Sequence, residues 1–390
     1  MFARRTQWKL TPNRLSAALE HLRAQSANIF GLTEFNPTHC GFEYDENGIL
    51  AALADRAALQ YYPAPKGLRS AREAVADYYR ESSNNACSID PDDIILTAST
   101  SEAYSFIFRL LCDPGDEVLV PTPSYPLFEF LADLLDIRIK PYPLIYDHGW
   151  QIDFHSLEGA LSPRARAVIV VHPNNPTGSF VRSAEAAQLN KIGQAHGTAI
   201  IADEVFLDYS HDPEKHRASF SDNGSALTFT LSGLSKISAL PQMKLAWIAT
   251  SGPEQLVRQA LARMEVIADT YLSVNTPVQI ALPSLLRQRH SISQQLLSRI
   301  RTNLTELDRQ IAQQGLCSRL EVEGGWYAVL RIPVTQSDEE FALELLEKRH
   351  VLVHPGHFYD FPSDGYLVLS LITPTEPFRA GIEKILDFFA

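Results

Sequence analysis

Through the middle of the chain, short runs of continuously apolar residues alternate with longer stretches whose apolar positions recur at helical spacing. DIILTA (93–98), EVLV (117–120), ARAVIVV (165–171), TAIIAD (198–203), ALTFTLSG (226–233) and KLAWIATS (244–251) are of strand length and rich in Val and Ile. Between the first of them stand the helix-like SEAYSFIFRLLC (101–112), YPLFEFLADLLD (125–136) and AEAAQLNKIGQAH (184–196). Strands without polar alternation are buried on both faces, so this pattern predicts an α/β fold with a largely parallel sheet flanked by helices.

The pattern changes after residue 252. Residues 253–314 read as mostly helical, with Gly315 as a stop signal. LEVE and WYAVLRI (319–332), VLVHPG and YLVLSL (366–371) are strand-like, with helices over Asp338–His350 and at the C-terminus. That is a smaller α+β unit. The expected organisation is an N-terminal segment (1–45) with no sheet of its own, packed beside the small domain, then a large domain (46–288) and a small domain (289–390). Neither repeats nor a long linker interrupt the 390 residues.

Charge and cysteine usage narrow the class. Against 46 acidic residues stand 34 Lys and Arg, a formal charge of −12, and the basic residues are scattered singly or in pairs such as Arg4-Arg5. Nucleic acid is therefore not an expected partner. The opening MFARRTQWKLTPN has no apolar stretch behind its arginines, and no run approaches the ~20 residues of a spanning helix. Cys40, Cys87, Cys112 and Cys317 lie far apart without a C-x-x-C pair. A disulfide framework or zinc site is not indicated, and a cytoplasmic setting is expected.

In open parallel sheets ligands sit beyond the carboxyl ends of the strands, so the polar residues at those exits are the candidates. Ser99, Thr100, Ser101 and Glu102 follow the first strand; Ser99 and Glu102 have capping-box spacing, and the freed N–H groups at such a helix start can also hold a phosphate. HPNNPTG (172–178) leaves AVIVV as a rigid turn carrying two amides, and a purely structural turn is the competing reading. Asp203 and Glu204 end TAIIAD, where a buried carboxylate requires a cation or hydrogen-bond donors. Lys236 sits in SGLSKISAL among small residues. A buried lysine has a depressed pKa suited to Schiff-base chemistry, whereas an exposed one would be only a surface charge.

In this order and spacing the four elements resemble the class I/II aminotransferases of the fold type I pyridoxal-phosphate superfamily. YYPAPKGLRSAREAVADYY (61–79), DPGDEVLVPTPSYP (113–126), GGWY (324–327) and HPGHFYDF (354–361) extend the resemblance over essentially the whole chain. It implies a mostly parallel seven-stranded sheet, the cofactor pyridoxal 5'-phosphate, an amino donor, a 2-oxo acid acceptor, and a homodimer with shared active sites. Carried over residue by residue, it makes Lys236 the Schiff-base lysine and Asp203 the partner of the pyridine nitrogen. Asn175 becomes the amide on the phenolic oxygen, and Tyr125 the ring stacked on the pyridine. Ser99, Thr100, Ser101 and Ser235 become phosphate contacts. Tyr62 matches a tyrosine that reaches the partner subunit's phosphate.

The chain also departs from the family pattern. Phe206 stands where a tyrosine usually donates to the phenolic oxygen, and Lys244 where an arginine usually clamps the phosphate, keeping charge but losing the bidentate fork. Val368 stands where relatives carry the arginine that grips the substrate's α-carboxylate; Arg331, a lysine or a histidine are the alternatives left open. Phe35 replaces a small residue and, with Phe206, Tyr125 and Trp326, suggests an apolar pocket. His354 and His357 lack further ligands, so no metal is expected. The expected function is amino transfer by a ping-pong mechanism. A lyase or decarboxylase on the same scaffold is the alternative, and a non-catalytic cofactor-binding regulator is a third reading, disfavoured by the retention of Lys236 and Asp203.

Overall fold

A computed structural model describes residues 1–83, 88–212 and 218–389; Cys87 lies outside them. A short strand β1 (Phe30–Gly31) precedes the eight strands of the large sheet, β2 (Ile94–Thr97), β3 (Glu117–Thr122), β4 (Arg138–Tyr146), β5 (Trp150–Ile152), β6 (Ala165–Val171), β7 (Ala199–Asp203), β8 (Thr228–Gly233) and β9 (Ala246–Ser251). Their order is β2-β9-β8-β7-β6-β3-β4-β5. Strands β3, β4, β6, β7 and β8 pair in parallel, β9 runs against both β2 and β8, and β5 runs against β4. Six strands thus point the same way, and the exits of β2, β3, β6, β7 and β8 open on one edge of the sheet.

The eighth strand corrects the expectation of seven. It pairs only with β4, a half-exposed strand carrying Pro141 and Pro143, and neither has the continuous apolar run that marks the central strands. By contrast, β7 (AIIAD) and β8 (TFTLSG) are buried at every position, which suits their apolar and small residues. The helix expected over 125–136 spans only Phe128–Leu134. Pro126 disfavours helical geometry in the residue before it, and Asp136 turns left-handed at φ 55°.

Strands β10 (Ser318–Arg319), β11 (Tyr327–Arg331), β12 (Val351–Leu352), β13 (His354–Pro355) and β14 (Tyr366–Ser370) belong to the smaller unit, where a four-stranded sheet has the order β10-β11-β14-β13. LEVE is not a strand beyond Arg319. Its residues run towards the large domain, where Glu323 N and Gly324 N donate to the Gly178 carbonyl. The N-terminal segment does contribute a strand, contrary to expectation: β1 pairs in parallel with β12, and helix Arg14–Ala24 packs on helix Asp338–Arg349. One apolar core joins Leu15, Leu22 and Leu32 of that segment to Phe341, Val353 and Phe378, and reaches Phe206 and Tyr209 beside the large sheet. The long helix Arg289–Gln314 ends at Gly315, left-handed at φ 70° as its stop-signal role requires.

Candidate active site

The strand exits converge on a cavity of about 440 Å³ between the large sheet and the smaller one. Thr100 and Ser101 enter it from the start of helix Thr100–Leu111, Tyr125 from the loop after β3, and Asn175 from the loop after β6. Asp203 ends β7, Phe206 follows it, and Ser235 and Lys236 follow β8. The smaller unit contributes Tyr327, His354, Phe358 and Tyr359, and Phe35 closes the N-terminal side.

Each loop is held by contacts that leave its functional atom free. Gly178 closes the turn after β6: its N–H donates to Asn174 O at 2.7 Å with φ at 69°, and a Cβ there would lie 2.3 Å from the Val322 side chain. Asn174 ties this turn to the next loop, donating to Pro123 O at 3.0 Å and Thr177 Oγ1 at 2.9 Å. Asn175 differs from its neighbour. Both are buried and neither Oδ1 has a partner among the described residues, but Asn175 alone faces the cavity, and its side chain has no tie like those of Asn174 to Pro123 and Thr177. Ser124 N donates to Tyr359 O at 2.9 Å, fastening the Tyr125 loop to the smaller unit.

Ser99 is a helix cap. Its Oγ accepts from Glu102 N at 3.2 Å while Glu102 Oε2 accepts from Ala98 N at 2.7 Å, and Ser99 does not line the cavity. That reciprocal pair satisfies early donors of the helix and leaves the Thr100–Ser101 start facing the cavity, where the helix dipole favours an anion.

Lys236 lies in a one-turn helix, Leu234–Ile237, capped by Gly233. A Cβ on Gly233 would come within 2.8 Å of Ala246 Cβ, so only glycine lets β8 pass β9 here. The Tyr209 hydroxyl donates to Lys236 O at 2.6 Å and fixes its backbone. The ammonium end lies 4.7 Å from the Trp326 ring centre and 5.5 Å from that of Phe206. Burial lowers the Lys236 pKa to about 8, opposed by the charge of Asp203. Asp203 accepts from the Tyr104 hydroxyl at 3.0 Å and from Val205 N at 3.2 Å; burial still pushes its pKa up to about 6 against those bonds and the Lys236 charge. The pair is thus a buried acid and a half-buried amine whose burial draws their pKa values towards neutrality.

Four residues named from the sequence lie elsewhere. Lys244 is exposed, left-handed at φ 51°, and does not line the cavity. Tyr62 is 71% exposed and borders a separate crevice with Tyr61, Pro63 and Phe106. Val368 is fully buried in β14, and Arg331 sits at the exposed end of β11 outside the cavity. Tyr104, Tyr327 and Tyr359 had not been singled out. Only Tyr104 had a local signal, lying three and four residues beyond Ser101 and Thr100 on the same helical face. Among the described residues, no group of His, Cys, Asp and Glu is arranged to hold a metal.

The family model for aminotransferase class I and II matches residues 42–376. The chain belongs to the class I/II aminotransferases. An alanine aminotransferase of Mycobacterium tuberculosis is 29% identical over 376 residues, covering 94% of this chain and 87% of the relative. Glutamate-pyruvate aminotransferase AlaA of Escherichia coli is 24% identical over 380 residues, covering 95% and 93%. In fold, this aminotransferase is similar to an alanine aminotransferase from Pyrococcus furiosus, with a TM-score of 0.89 at 23% identity over 100% of this chain and 99% of the other. A Thermus thermophilus aspartate aminotransferase double mutant gives 0.86 at 23% over 99% of each chain. The family's cofactor is pyridoxal phosphate and its substrates are amino acids and 2-oxo acids.

The cavity fits that cofactor on its own features. Among the described residues it contains an amine, a buried carboxylate whose cationic neighbour is that amine, a buried amide facing inward, and a helix start facing inward.

Proposed function

We propose that the enzyme carries pyridoxal 5'-phosphate as a Schiff base on Lys236 and moves an amino group by a ping-pong mechanism between an amino acid, or a related amine, and a 2-oxo acid. When bound, the cofactor supplies an electron-accepting ring that stabilises negative charge on the substrate carbon next to nitrogen. The chain's own residues do the rest. Released from the cofactor, the Lys236 amine is a proton carrier whose pKa of about 8 lets it both accept and return a proton near neutrality. Asp203 offers the carboxylate that keeps a ring nitrogen protonated. Asn175 offers its side-chain amide N–H as donor to the phenolic oxygen, and the Thr100–Ser101 start, with Ser235, offers N–H and hydroxyl donors to the phosphate. Tyr125, Phe206 and Phe358 line the cavity with apolar surface that excludes water.

The observation that carries this reading is the convergence of the half-buried Lys236 with the buried Asp203 and Asn175 in one cavity. Family membership favours transfer over elimination or decarboxylation. Exposed Tyr61, Tyr62 and Leu59 support a homodimer in which Tyr62 reaches the partner's site, because so much aromatic and aliphatic surface is otherwise left in water. The free thiols Cys40, Cys112 and Cys317 support a cytoplasmic setting. Among the described residues, no helix is long and apolar enough to cross a membrane.

The test is a single half-reaction. Cofactor-loaded enzyme incubated with a panel of amino donors should lose its visible absorbance, gain the near-ultraviolet band of the aminated cofactor, and release one equivalent of oxo product. Release of ammonia or CO₂ without amination of the cofactor would establish the lyase or decarboxylase alternative instead.

A further inference from the structure

The four-stranded sheet borders the cavity that holds Lys236 through Tyr327 and His354. Val368 of β14 pairs with Val329 of β11 on one side and with His354 of β13 on the other, and Tyr327 pairs with Ser370. Residues directly opposite one another, and residues two apart along a strand, point to the same side. Tyr327, Val329, Val368, Ser370 and His354 therefore share a face, and Tyr327 and His354 bring that face to the cavity, while Val329, Val368 and Ser370 pack beside them without lining it. Arg331, two residues beyond Val329, lies on the same face at its exposed end, outside the cavity; the residues of this face that line the cavity, Tyr327 and His354, include no arginine or lysine. An arginine side chain at position 368 would emerge directly beside His354; with valine there, the imidazole is the nitrogen group at that spot.

His354 is built to present one ring nitrogen. Its Nδ1 lies 3.1 Å from the Tyr359 hydroxyl, and its Nε2 has no partner among the described residues. The titratable groups around it are Tyr359 on the following turn, Tyr327 on the neighbouring strands, and Tyr125, Asp203 and Lys236 across the cavity. Burial lowers its pKa to about 4, so the ring is neutral while no anion is near. A carboxylate brought into this cavity needs a cation or donors to offset its lost hydration. Lys236 is committed to the cofactor, which leaves His354 as the described lining side chain able to become cationic. The arriving anion favours the protonated ring, reversing the effect of burial.

We propose that His354, oriented by Tyr359, receives the α-carboxylate of the amino acid and 2-oxo acid substrates, and that it takes up a proton as they bind. This rests on the amino-transfer reading of the site and adds to it the residue that orients substrate.

The experiment is calorimetric binding of the unreactive acid 3-phenylpropanoate, and of its neutral isostere 3-phenylpropanamide, to cofactor-loaded enzyme near pH 7.5 in buffers of different ionisation enthalpy. Loading is checked first by borohydride reduction and peptide mapping. If position 236 carries no cofactor, the amino-transfer reading fails, and the inference falls with it before any acid is added. With position 236 labelled, the native enzyme should bind the acid more tightly than the amide and take up close to one proton per acid bound. His354→Gln and His354→Phe, measured in parallel and checked for unchanged unfolding temperature, should bind the acid about tenfold more weakly without proton uptake and bind the amide as before. Adding Val368→Arg to His354→Gln should restore acid binding, still without proton uptake, because a guanidinium arrives charged. Proton uptake that persists in both His354 variants, or an amide that binds the native enzyme as well as the acid, overturns the proposal.

Discussion

The Tyr104 hydroxyl donates to Asp203 Oδ2 across 3.0 Å, deep in the sheet edge where both side chains are buried. Asp203 would otherwise be protonated more readily still, since burial already holds its pKa near 6. Tyr104 is thus a positioning residue for the carboxylate that faces the cofactor ring. A hydrogen bond to a charged group contributes about 1.5–3 kcal/mol, so Tyr104→Phe should weaken cofactor retention by roughly tenfold or more. Equilibrium dialysis against free cofactor measures this, and unchanged retention would show that the bond does not support the anion.

Lys236 has no substitute within the described cavity. Lys236→Ala should abolish turnover and, at the same time, the borohydride-stable attachment of cofactor to the chain. The cavity itself should survive, because the Tyr209 bond is to the backbone of residue 236 and not to its side chain. Activity retained by this variant would contradict the assignment of the reactive amine.

Phe206 packs edge-on to Trp326 at 5.3 Å and lines the cavity without offering a donor. Phe206→Tyr adds a hydroxyl at the position where the resemblance places a donor to the phenolic oxygen. A donor there stabilises the deprotonated form of the Lys236-linked cofactor, so the pH midpoint of its visible absorbance should move downward by about one unit. A titration showing no downward movement would mean that the added hydroxyl does not reach that oxygen.

Asp203 and Glu204 together give the cofactor-free protein a pH-dependent stability. Burial pushes Glu204 up to about 8, against donation from Phe220 N at 2.6 Å and Ser219 Oγ at 2.6 Å, and raises Asp203 to about 6. Between the ordinary carboxylate range and pH 8 the folded chain therefore holds protons that the unfolded chain has already released. These groups make stability fall as pH rises through that window. Lys236, lowered from 10.5 to about 8, acts in the opposite sense above pH 8, where the unfolded chain binds the extra proton and the group's contribution to stability rises with pH. Urea midpoints of cofactor-free enzyme should drop from pH 5 to 8, and Glu204→Gln should flatten that slope. An equally steep slope in the variant would place the effect elsewhere.

The parts of the site legible in the sequence are those governed by local rules. Lys236, Asp203 and Asn175 stand at the exits of strands, and strand exits could be read from apolar runs and the turn residues that follow. Ser99 was ambiguous because the same serine suits a cap or a phosphate, and only the reciprocal Glu102 bond decides for the cap. Local rules alone do not separate Asn174 from Asn175; the resemblance singles out Asn175, and the contacts of Asn174 to Pro123 and Thr177 explain why Asn175 is the amide left to face the cavity. The wall formed by Tyr327 and His354 was out of reach for a different reason: which residues of β11, β13 and β14 share a face depends on strand register, set by pairing between segments far apart in the chain. The hairpin of β4 and β5 escaped notice because half-exposed edge strands lack the apolar continuity that identified the central ones.

Tyr62 is exposed in the single chain and lies outside the cavity, yet the resemblance assigns it to the partner's phosphate. If the two sites of a homodimer are composite, Lys236 and Tyr62 of one site come from different chains. A hybrid of Lys236→Ala and Tyr62→Ala chains then has one site with both lesions and one with neither. Each parent variant alone should show little activity. Unfolding and refolding an equal mixture should yield half hybrid dimers, each with one intact site, and so restore about a quarter of native activity. Light scattering on the same samples reports the dimer directly. If the refolded mixture gives only the average of its parents while remaining dimeric, Tyr62 serves its own chain or none, and the shared-site arrangement is wrong.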